Sequence, residues 1–138
     1  MNKLVFVLLA CIAFSAASAN ETRDIFKGKL FPPNVVMENR AKLDLTREQY
    51  TAIRAAVVEV QTQVAEHEWD MQEAYTSVLE SLDERPLDEQ QIISGVKAVL
   101  AAENKVKLAQ MGMLIRIRNL LSEEQIEILE SNWSESGQ

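Results

Sequence analysis

The chain holds one histidine, His67, which stands four residues ahead of Met71. On a helix that spacing puts an imidazole and a thioether on one face. Joined by the carboxylate of Glu103, the set His67, Met71 and Glu103 could hold a borderline or soft divalent metal, and only weakly, because three ligands leave its coordination shell open. The same residues have a structural use: a half-buried His67–Glu103 pair would fix the register of two helices, as a single polar residue does in a coiled-coil seam. Both roles stand at this level. Catalysis has less footing. There is no nucleophile motif, no glycine-rich phosphate loop and no His-Glu-x-x-His pattern, and His67 has no Ser or Cys partner in view. A single cysteine, Cys11, excludes an intrachain disulfide and cysteine-rich metal sites. The residues therefore predict a protein that is not an enzyme and requires no cofactor.

The elements that must position these residues are helical. The chain has 138 residues, 47% of them hydrophobic, with only 4 Gly and 3 Pro, too few breakers for a many-stranded β-fold. A net charge of −7 argues against a nucleic-acid partner, which needs basic excess to displace counterions from phosphates. Residues 1 to 19 read as a cleavable secretory signal: Lys3, an apolar run from Leu4 to Phe14, then Ala17-Ser18-Ala19 before the cut. That address predicts export from the cytoplasm. The apolar run is short of the roughly 20 residues a spanning helix needs, so no stable membrane insertion is expected.

Three segments share one pattern of apolar residue, cap, two residues, Gln and apolar residue. They are Leu45-Thr46-Arg47-Glu48-Gln49-Tyr50, Leu87-Asp88-Glu89-Gln90-Gln91-Ile92 and Leu121-Ser122-Glu123-Glu124-Gln125-Ile126. Each predicts a capping box: Thr46, Asp88 or Ser122 accepts from the third amide of the helix, and the Gln there reaches back to the amide of the cap. Helices are expected from 46 to about 84, from 88 to about 119 and from 122 to about 133, with Arg85-Pro86 breaking the first two apart. A short first helix, 34 to 42, follows Pro32-Pro33, and residues 20 to 33 form an extended arm. The hairpin domain runs from 34 to 134, with a tail at 135 to 138. Apolar residues at Ile53, Val57, Val60, Val64, Met71, Ala74 and Val78 recur at steps of three, four and seven, the seam of a helical hairpin. Folding about residues 85 and 86 sets His67 opposite Glu103 and Asn104.

The expected fold is all-α, with four helices in an elongated hairpin. Apolar residues off the seam, such as Val58, Ile93, Leu100, Leu114 and Ile115, need a further surface, and a homodimer supplies one. Between Glu66 and Glu89 nine acids face Arg85 alone, whereas Lys97 to Arg118 carry five bases against Glu103. An antiparallel dimer would set the acidic tip of one hairpin by the basic end of the other.

The paired motifs carry a resemblance. Leu45, Thr46 and Gln49 match an LTxxQ signature, and Leu121, Ser122 and Gln125 form its near-copy with Ser for Thr. Two such motifs flanking a long hairpin behind a secretory signal resemble the Spy/CpxP family of periplasmic proteins. That resemblance implies a dimeric cradle that binds unfolded envelope proteins without ATP, or regulates stress signalling through the periplasmic domain of a membrane sensor. It also takes in a branch of heavy-metal sensor and resistance proteins. The sensors of that branch use a pair of His on the first helix and a His-x-x-x-Met on the third. Here Met37 and Glu38 stand on the first, and Met111 and Met113 lack a His before them. For a protein-binding role the contact residues would be Arg54, Lys105, Lys107, Met113, Arg116 and Arg118, with Ile25, Phe26, Leu30 and Phe31 as a mobile apolar lip.

Overall fold

Thr46, Asp88 and Ser122 cap three helices, as their spacing predicts. Thr46 Oγ1 accepts from the Gln49 amide at 3.1 Å, Asp88 Oδ1 from the Gln91 amide at 3.1 Å, and Ser122 Oγ from the Gln125 amide at 3.2 Å. The structure, a computed structural model, describes residues 26 to 136, with side chains as far as Trp133. The signal sequence, the arm before Phe26 with Ile25, and the last two residues of the tail lie outside the described residues.

The described residues are all-helical. They comprise α1 Pro33–Glu38, α2 Arg40–Leu43, α3 Arg47–Leu82, α4 Glu89–Leu120 and α5 Glu123–Ser136. The single first helix expected over 34 to 42 is instead two. Asn39, at φ −96° and ψ 9°, leaves the helical region between them, and its side-chain amide donates back to the Val35 carbonyl at 2.9 Å. Asn132 of α5 donates to Asn39 Oδ1 at 3.2 Å and ties the break to the far end of the chain. Asp44, at φ 48° and ψ 48°, closes α2 in the left-handed conformation that Asp tolerates better than most residues.

The two long helices pack against each other as the hairpin. The 36 residues of α3 make a rod of about 54 Å at 1.5 Å per residue. Toward the tip the seam is built from small groups. A Cβ on Gly95 would stand 2.7 Å from Val78 Cγ2, so only glycine allows this approach. Ser81 is buried and accepts from Gln91 Nε2 at 3.1 Å. Gln91 therefore spends its side chain across the turn instead of completing the capping box expected at Asp88.

Most of the large buried side chains lie at the other end, where the short elements meet the hairpin. Phe31, Val36, Leu43, Ile53, Ile117, Leu121 and Leu129 form one cluster, with Phe31, Val36 and Ile117 fully buried. Phe31 thus corrects the expected mobile lip. Its ring fills the core, and Arg118 lies over it at 5.8 Å from the centroid while donating to the Lys29 carbonyl at 2.6 Å. Lys29 pairs with Glu130 at 3.4 Å, and Lys27 sits 5.6 Å from the Trp133 ring. Gly28, at φ 77°, makes the turn that passes over Trp133.

Candidate functional site

The two LTxxQ-like motifs meet. Gln49 Nε2 donates to Gln125 Oε1 at 2.7 Å, and Gln125 Nε2 returns a bond to Gln49 Oε1 at 3.0 Å. Each oxygen also accepts from the amide of its own cap, Thr46 at 3.1 Å and Ser122 at 2.9 Å. Each nitrogen also donates to the end of another helix, Gln49 to the Leu120 carbonyl at 2.8 Å and Gln125 to the Leu43 carbonyl at 2.9 Å. Helix ends leave carbonyls without intrahelical partners, and these two amides satisfy one each. Leu45 and Leu121 pack in or against the core beside them. The junction is a rigid clasp and holds no reactive group. Its signal in the sequence was the repeat itself, which local capping logic read as two separate helix starts.

Above the clasp, α3 and α4 leave an open groove of about 340 Å³, within the size range of ligand sites. Its α3 wall is Val57, Val60 and Val64, its α4 wall Met111, Met113 and Leu114, and Pro32 and Pro33 form its mouth. Gln61, Glu68, Lys107 and Gln110 supply the polar rim. Of the contact residues expected from sequence, Lys107 and Met113 belong to this groove; Met113 also packs on the core. The others lie elsewhere. Arg54 and Lys105 are exposed. Arg116 Nη1 is 2.6 Å from Glu59 Oε2 in an exposed cross-helix pair. Arg118 is taken up by Phe31, the Lys29 carbonyl and Glu130 at 3.8 Å, so it holds the amino-terminal segment down.

The metal set of His67, Met71 and Glu103 is not drawn together by hydrogen bonding. Glu103 Oε1 accepts from the Tyr75 hydroxyl at 2.9 Å. His67 Nδ1 is buried without a hydrogen-bond partner, so the expected pairing with Glu103 does not form through that atom. Met71 is half-buried on the same helix. Among the described residues no three His, Cys, Asp or Glu side chains converge as a metal site.

A buried polar atom without a partner costs about 1–3 kcal/mol. His67→Leu is therefore expected to raise stability by about 1 kcal/mol in chemical denaturation. A loss of stability instead would mean that the imidazole is held by a bond through its other nitrogen.

Comparison with models of protein families, with curated proteins and with solved structures finds no match. Among the described residues no helix is long and apolar enough to cross a membrane.

Proposed function

We propose that this chain is a non-enzymatic, ATP-independent binder of unfolded polypeptide, of Spy/CpxP type, working in the periplasm as a homodimer of hooked hairpins. The observation that carries the reading is the groove: an apolar trough open to solvent, rimmed by Lys107 and Glu68, on a rod that the glutamine clasp keeps rigid. Each aliphatic side chain of a client that is buried there contributes about 1.5–3 kcal/mol. Much of that is offset by the entropy of ordering the client. Contact is thus weak and tolerant of sequence, which suits a protein that must release what it holds. The methionines Met111 and Met113 adapt their shape to unlike clients, and Lys107 draws acidic segments toward the trough.

The test is light scattering from an unrelated client diluted out of denaturant. The wild-type chain is expected to suppress aggregation at near-equal stoichiometry without nucleotide. The double variant Lys107→Glu, Leu114→Glu is expected to lose most of that suppression while its helical circular dichroism is unchanged. Full suppression by the variant would remove the groove from the account. No suppression by the wild type would remove the function.

A further inference from the structure

The face of α4 turned away from α3 carries Ile93, Leu100, Leu108 and Ile115, which are 48%, 51%, 71% and 47% exposed. Steps of seven and eight residues keep all four in one stripe of a 3.6-residue helix, opposite the side that packs through Val99, Ala102 and Ile117. The stripe reads the same from both ends. Ile93 and Ile115 each stand eleven residues from Asn104, and Leu100 and Leu108 each stand four. Asn104 is exposed at the centre, and Gly112 has nothing within 4 Å of where its Cβ would be, so a second backbone can come close there.

A two-fold contact between identical helices requires this kind of order, because residue i meets j and j meets i. We infer that the stripe is covered by a second copy of this chain, with α4 antiparallel to α4 and the two-fold axis at Asn104. Ile93 then lies against Ile115 of the partner subunit, and Leu100 against Leu108 of the partner subunit. Asn104 meets its own copy, a polar pair that fixes register. Charge agrees with the direction. A parallel pairing would set Asp88 and Glu89 at the start of α4 beside their own copies, a repulsion that the antiparallel pairing avoids. The inference rests on the homodimer proposed above and leaves the groove on a different face, so the two are tested separately.

Disulfide trapping tests the axis, in the full chain with its one cysteine, Cys11, changed to Ser. Asn104→Cys is expected to oxidise to a covalent dimer. Leu100→Cys alone is not, because the two copies would be offset by eight residues along the axis, about 12 Å, beyond the roughly 4.4–6.8 Å between Cα atoms that a disulfide spans. Mixing Leu100→Cys with Leu108→Cys chains should restore the cross-link. In sedimentation, the native chain is expected to run as a dimer at micromolar concentration, and Leu100→Glu with Leu108→Glu as a folded monomer. A native monomer, a dimer that survives both glutamates, or trapping at Leu100 in preference to Asn104 would each overturn the interface. Client suppression by the native chain would stand in any of these cases.

Discussion

Gln125→Leu is expected to lower the free energy of unfolding by about 3 kcal/mol, a large share of the 5–15 kcal/mol typical of a domain. The side chain is 8% exposed and its amide makes hydrogen bonds to Gln49, the Ser122 amide and the Leu43 carbonyl. Leucine fills a similar volume but leaves those groups facing an apolar surface, and each buried group stranded in this way costs about 1–3 kcal/mol. Water reaching the junction from the half-buried Gln49 side recovers part of the loss. Because the two glutamines serve each other, Gln49→Leu in the same background should cost much less than it does alone. A double-mutant cycle by urea denaturation measures the coupling, expected at 1 kcal/mol or more for contacting residues of one network. Additive effects would show that the motifs stabilise their own helix starts independently.

The second large effect is at Phe31. Phe31→Ala removes a fully buried ring from the centre of the core, and such truncations cost about 3–5 kcal/mol. The ring is also the anchor for Arg118, which carries the Lys29 carbonyl. Hydrogen exchange at the Lys29 and Leu30 amides, both bonded to the Phe26 carbonyl at 3.0 Å, should quicken beyond what global destabilisation explains. Exchange that quickens only in step with global unfolding would show that the segment holds itself without the ring.

The helical class and three of the helix starts were legible in the sequence, because a cap and its third amide are separated by a fixed local distance. Thr46, Asp88 and Ser122 needed no tertiary context. The register of the hairpin was not legible. It depends on how closely two helices approach, and Gly95 against Val78 decides that through space. Glu103, expected opposite His67, instead accepts from the Tyr75 hydroxyl. Polar side chains at long range were equally hidden. Arg118 was read as a surface cation, but its acceptor is the Lys29 carbonyl, 89 residues away. The break at Asn39 depends in the same way on Asn132. Of the contact residues expected from sequence, Lys107 and Met113 line the groove. Their neighbours Val57, Val60 and Val64 were read only as seam, because nothing in their spacing reveals that they also line an open groove.

The measurement that bears most directly on the central claim is methyl-labelled NMR of the native chain titrated with an unfolded client that remains soluble. Resonances of Val57, Val60, Val64, Met111 and Met113 are expected to shift together in fast exchange, while those of the clasp and core, Leu43 and Leu129 among them, stay in place. Shifts confined to the hairpin tip near Leu87, or no shifts at client concentrations that suppress aggregation, would contradict binding in the groove.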